Sequence, residues 1–100
     1  MKPRKTCSTH RTAKSTKGWS RAEVRSQGKR RDLAAKCGTG AFLVQRDGEL
    51  KFQAVGKGCC VDCRALRAAL SRAGIHRKKY PGLQDKIRRR GKAAGCRWAK

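Results

Sequence analysis

The chain reads as a small α+β domain in which a β-hairpin packs on two or three short helices and basic flexible tails extend from both ends. Three observations point there. The first is charge: residues 1–36 hold twelve Lys/Arg against two Asp/Glu and residues 64–100 hold thirteen against one, while residues 37–63 hold three of each. The second is an alternating apolar run beside Asp47-Gly48, and the third is a capped apolar stripe beginning at Asp62. Flanks of +10 and +12 thus enclose a neutral centre, where a core can form without burying ammonium or guanidinium groups.

With 100 residues, 37% hydrophobic and 34% charged, the chain is one domain at most and its core is small, so something besides apolar burial must help it hold shape. A formal charge of +22 opposes compaction through self-repulsion and implies a polyanionic partner. No apolar run reaches the ~20 residues of a membrane span. Met1-Lys2-Pro3-Arg4-Lys5 is not followed by an apolar signal region, so the expectation is a soluble protein made in a reducing compartment. Three regions follow: a basic N-terminal arm (1–18), a cysteine-containing core (19–75), and a basic C-terminal helix and tail (76–100).

Residues 1–18 lack apolar periodicity and read as an arm that stays disordered until bound. Trp19-Ser20-Arg21-Ala22-Glu23-Val24 matches a capping box, with Ser20 as N-cap, Glu23 at N3, and Trp19 and Val24 closing a hydrophobic staple. Gly28 splits this segment into two short helices. The second runs from about Lys29 to Lys36, places Leu33 and Cys37 on one face, and stops at Gly38. Segments 41–44 and 49–55 flank the Asp47-Gly48 turn as a hairpin, with Leu50, Phe52 and Ala54 on the buried face and Lys51, Gln53 and Val55 on the other. A lone hairpin is marginal in water, so it must pack on a helix.

Asp62 caps the clearest helix, whose stripe of Cys63, Leu66, Leu70 and Ala73 faces the core. Gly74 ends it, with Ile75 folding back on Leu70 in a Schellman cap. Beyond the basic turn His76-Arg77-Lys78-Lys79-Tyr80-Pro81-Gly82, Leu83 and Ile87 at i, i+4 mark a weaker helix ending in Arg88-Arg89-Arg90. Residues 91–100 read as a second basic tail, and Trp98 in it packs either on a partner or on the core.

The six cysteines leave three readings open. Cys60-Val61-Asp62-Cys63 has zinc-ligand spacing at a helix start, and Cys37 would be its next ligand, with Cys96, His76 or the Cys7/His10 pair completing the set. Disulfides among Cys37, Cys59, Cys60 and Cys63 are the competing reading, for instance Cys37 to one of the other three. Adjacent Cys59 and Cys60 are excluded as a pair by ring strain. Plain thiol packing is the third. No thioredoxin-like pattern surrounds the C-x-x-C, which argues against redox catalysis.

Other enzyme classes fare no better. The acidic residues are Glu23, Asp32, Asp47, Glu49, Asp62 and Asp85; three serve caps or the turn, and none forms a catalytic pair. Cys37-Gly38-Thr39-Gly40 lacks the rest of either nucleotide-binding glycine motif, so neither a catalytic site nor a small-molecule substrate is expected. The chemistry that remains is cationic. Arg64, Arg67, Arg72, Arg77, Lys78, Lys79, Arg88, Arg89 and Arg90 are the candidate polyanion-binding residues, and no recognition motif for base readout accompanies them.

Gly18-Trp19-Ser20, Gly28-Lys29-Arg30-Arg31 with Leu33 and Lys36-Cys37-Gly38, Phe42-Leu43, Lys51-Phe52, and Asp62-Cys63-Arg64-Ala65-Leu66 with Ala68-Ala69 and Arg72-Ala73 form a series of segments. Over residues 18–75 it resembles a family of small basic cysteine-containing virion proteins of large nucleocytoplasmic DNA viruses infecting algae and amoebae. That family has further cysteines where this chain has Ala41 and about Val55. The resemblance implies a minor capsid or core protein, located in the virion and assembled in a cytoplasmic virus factory or the nucleus. It also implies access to virus-encoded thiol oxidases, which would permit disulfides without secretion. The expectation is a non-enzymatic cement protein, without a cofactor, binding capsid or core proteins and packaged DNA. The alternative is a sequence-nonspecific nucleic-acid-binding module, ribosome-associated or DNA-condensing, with a zinc site.

Overall fold

In a computed structural model, residues 7–46, 49–56 and 58–99 are described. The chain enters through β1 (Ser8–Thr9) and passes through α1 (Trp19–Ala22) and α2 (Gln27–Cys37). A 3-10 turn (Thr39–Ala41) then leads into the hairpin of β2 (Phe42–Arg46) and β3 (Glu49–Gln53). β4 (Val61–Asp62) runs directly into α3 (Cys63–Ile75), followed by α4 (Leu83–Ala93) and a final 3-10 turn (Arg97–Ala99). The α+β class and the hairpin against short helices are as the sequence predicts. The Asp47-Gly48 turn itself lies outside the described residues.

β2 and β3 pair antiparallel, with Phe42 opposite Gln53 and Val44 opposite Lys51. Strict alternation fails at the end of β3. Phe52 takes φ 63, and Gln53, Ala54 and Val55 are then all buried, so Gln53 is not the outward residue the sequence predicts. Its buried amide is satisfied: Val24 N–H donates to Oε1 at 2.9 Å, and Nε2 donates to the Val55 carbonyl at 2.8 Å. Gln27 does similar work from α2, its amide exchanging hydrogen bonds with both backbone groups of Leu50 at 3.1 and 3.3 Å.

Two short helices form in the 19–37 segment, but Gly28 is not the break: it lies inside α2, and the chain leaves helical geometry at residues 23–26. The capping box does not form. Gly18 is the N-cap of α1, and Glu23 leaves the helix at ψ 133 instead of occupying N3. Burial of Trp19 (3% exposed) and an ion pair from Glu23 to Arg72 outcompete the local cap. α2 begins two residues earlier than expected because Ser26 caps it, accepting from Lys29 N–H at 3.2 Å, and Gly38 ends it.

α3 matches its pattern at the start, where the Asp62 carboxylate accepts from Arg64 N–H at 2.9 Å. Its buried face is Cys63, Leu66, Leu70 and Ala73 with Ala65 and Ala69 added. The predicted Schellman stop is wrong: the helix continues through Gly74 to Ile75, which is 77% exposed and cannot fold back onto Leu70. Gly74 has another reason to be small. A Cβ there would lie 2.7 Å from Gln84 Nε2, so α4 could not approach.

The core does not stop at residue 75: the C-terminal segment through Ala99 joins it, and the described start of the N-terminal arm is tied to it, while residues 1–6 of that arm lie outside the described residues. Leu83, Ile87, Cys96 and Ala99 belong to the same buried cluster as Phe42, Leu43, Leu66 and Leu70. Trp98 packs on its own chain: its Nε1–H donates to the Cys63 carbonyl at 2.9 Å, and its ring sits against Gly91, where a Cβ would be 2.9 Å away. At the other end, Ser8–Thr9 pairs in parallel with Val61–Asp62, and Ser8 Oγ donates to the Ala94 carbonyl at 2.7 Å. Residues 7–11 are therefore folded, not an arm awaiting a partner.

The physical reason is covalent. Cys7 is joined to Cys60, Cys37 to Cys59 and Cys63 to Cys96, with Cα separations of 5.0, 5.1 and 5.5 Å. Cys7 and Cys96, outside the predicted disulfide group, are the residues that bring both ends in. A radius of gyration of 12.6 Å, against about 13 Å for an ordinary 100-residue domain, shows that the charge does not swell the chain.

Under non-reducing conditions alkylation should label no thiol, and after reduction all six cysteines should react. Cys63→Ala with Cys96→Ala releases a loop of 33 residues and should cost about 3 to 5 kcal/mol in urea denaturation. Removing the half-exposed Cys37–Cys59 bridge, which spans 22 residues, should cost less.

Candidate functional site

The zinc reading required thiolates from Cys37, Cys60 and Cys63, and each is committed to a different disulfide. A disulfide sulfur offers no thiolate charge to a metal. His10 and His76 are exposed, and among the described residues no group of three His, Cys, Asp or Glu side chains is arranged to hold a metal. Likewise no described helix is long and apolar enough to cross a membrane.

The nine cations singled out in the sequence divide into two sets. Arg64 belongs to the fold. Its Nε and Nη2 grip the buried Asp62 carboxylate at 3.2 and 3.0 Å, its Nη1 donates to the Lys17 carbonyl, and its guanidinium lies 6.0 Å from the centroid of the Trp19 ring. Arg72 is held by Glu23, and Arg90 reaches the Gly40 carbonyl at 2.6 Å to tie α4 to the turn before β2. Arg67 is half-buried. By contrast Arg77, Lys78, Lys79, Arg88 and Arg89 are exposed, with Arg88 only loosely paired to Asp85 at 3.5 Å across two well-solvated side chains.

Two structural cations escaped the sequence reading. Arg30 crosses from α2 to donate to the Val24 and Leu50 carbonyls, both at 2.9 Å. Lys86 donates to the Leu43 carbonyl at 3.3 Å. No local signal marks either one, because their acceptors are backbone carbonyls, of Leu43 and Leu50 in the hairpin and of Val24 in the link between α1 and α2.

The exposed turn and α4 border an open groove of about 480 Å³. Leu43, Val44 and Gln45 of β2 form one side; Lys79-Tyr80-Pro81-Gly82-Leu83 and then Lys86 and Arg89 form the other. Tyr80 is fixed edge-on against Phe52, with centroids 5.3 Å apart and planes at 84°. Lys51 Nζ lies 3.5 Å from its hydroxyl, and Lys79 Nζ lies 5.6 Å from its ring centroid. Glu49 and the Tyr80 hydroxyl hold the Lys51 ammonium above its usual range. None of the residues lining the groove is acidic.

No family model matches the chain, and neither does any curated protein or solved structure. Its functional reading therefore rests on surface chemistry.

The Glu23–Arg72 pair offers a pH test of the frame beneath that surface. Hydrogen bonds from Arg72, opposed by partial burial, hold the Glu23 carboxyl below its ordinary value. A carboxyl depressed on folding stabilises the protein above its unfolded pKa of ~4.3 and loses that contribution as pH falls through the lower folded value. Glu23→Gln should cost about 0.5 to 1 kcal/mol at neutral pH. In pH-dependent denaturation the variant and the parent should converge only as the pH falls through the depressed folded value of Glu23, below the ordinary carboxylate range.

Proposed function

We propose that the chain is a non-enzymatic structural protein of a virion, a minor capsid or core cement protein that sets a rigid cationic surface against packaged DNA or acidic capsid surfaces. The observation that carries this reading is the combination of +22 formal charge with three disulfides that consume every cysteine and draw both ends into one body. Cations on a stapled body lose little conformational freedom on binding, which suits permanent assembly better than transient capture. Complete oxidation suits a particle that must survive outside a reducing cytosol, and the resemblance to virion proteins supplies a route to it through assembly in a virus factory or the nucleus.

The zinc-containing nucleic-acid module loses its ligands to the disulfides, but a disulfide-stapled DNA-condensing protein uses the same surface. The two part on emptied particles. A cement protein stays with the shell when nucleic acid is removed, and a condensing protein leaves with it. Protection of Trp19 does not discriminate them, because Trp19 is already buried within the chain.

If about ten cations neutralise phosphates, log affinity for DNA should fall with log salt at a slope near −9. Arg77→Ser, Lys78→Ser and Lys79→Ser should each make that slope shallower by about one unit with the thermal midpoint unchanged. Arg64→Ser should instead lower stability, since it removes the guanidinium that neutralises the buried Asp62 carboxylate.

A further inference from the structure

We propose that the groove between β2 and α4 holds an unpaired nucleotide of a single-stranded nucleic acid, with the base against Tyr80 and the flanking phosphates on Lys79 and Arg89. This rests on the polyanion reading and makes it specific to strand state.

Phosphate neutralisation alone needs only cations on a surface, but this groove combines them with a flat, positioned ring. The edge-on contact with Phe52 and the Lys51 contact at the hydroxyl fix Tyr80, so no side-chain freedom is lost there on binding. Aromatic rings set in a positive groove are how proteins take single strands without reading sequence, since every base offers a stacking face. Leu43, Val44 and Leu83 give the groove an apolar lining that neither a carboxylate nor a phosphate would use. Its volume of about 480 Å³ lies within the range of sites for small molecules and nucleotides.

Charge complementarity names the occupant's other half. Three cations line the groove and no acidic residue does, so an anionic chain with a planar apolar group fits both surfaces at once. An acidic polypeptide supplies only the charge. A duplex keeps its bases paired and can touch only the rim. The Lys79 ammonium now near the Tyr80 ring belongs to an exposed side chain, free to move to a phosphate as a base enters.

The test is fluorescence anisotropy on the full oxidised chain at one salt concentration, with oligothymidylate, a duplex of equal length and polyglutamate. Tyr80→Ala should weaken single-strand binding about tenfold and leave duplex binding within about twofold, and Tyr80→Trp should restore it. Because the chain has a single tyrosine, its ring resonances in the unmodified protein give an independent readout, shifting with the single strand and not with the duplex. Equal losses on all three ligands, or unmoved tyrosine resonances, would overturn the groove assignment alone while duplex binding persists. Failure of all nucleic acid to bind would overturn the DNA-facing part of the proposed function as well.

Discussion

Residues 59–63 are a covalent hub, because each of the three cysteines there bonds to a different distant segment: Cys59 to α2, Cys60 to the N-terminal strand and Cys63 to the segment after α4. The loops they close span 22, 53 and 33 residues, so together they remove much of the disorder open to the unfolded chain. A core this small, in a chain this charged, needs such a constraint. Apolar burial in a 100-residue domain leaves a narrow margin, and self-repulsion at +22 narrows it further.

Around the hub, polar groups are used to join elements. Asp62 sits at its centre, nearly fully buried, and both caps α3 and receives the Arg64 fork. Gln27, Arg30 and Gln53 bind backbone groups of neighbouring segments, and among the described residues no buried side-chain nitrogen or oxygen lacks a partner. Several arginines are therefore structural members. Guanidinium suits this because it can cover apolar surface with its stem while its planar head forks onto carbonyls or carboxylates.

What is left outside is a second population of cations, which includes those of the 77–79 turn and Arg88 and Arg89 of α4. Their backbone is anchored through Leu83 and Ile87 in the core, so their spacing belongs to a rigid body. The groove beside them adds the one aromatic ring in that turn. A cationic surface on a stapled frame and an aromatic cleft at its edge are compatible with one partner, a nucleic acid touched along its backbone and at an unpaired base.

By itself the sequence determined the class of fold, the hairpin, the Asp62 cap and the apolar stripe of α3, because these follow from local periodicity and from side chains bonding to their own backbone neighbourhood. It also determined that Cys59 and Cys60 would seek separate partners. Only the tertiary structure decided the cysteine pairing, since a spacing such as Cys60-x-x-Cys63 is equally good for a metal until distant Cys7 and Cys96 are brought alongside. The same holds for Glu23, which left a local capping role for Arg72, 49 residues away, and for Gly74, small because of Gln84 and not because a helix ends there. It holds also for the arginines, which look alike in a list of residues and differ only in what lies within reach once the chain is folded. Contacts between remote segments leave no periodic trace in a sequence, so the division of the cations into frame and surface is a property of the fold alone.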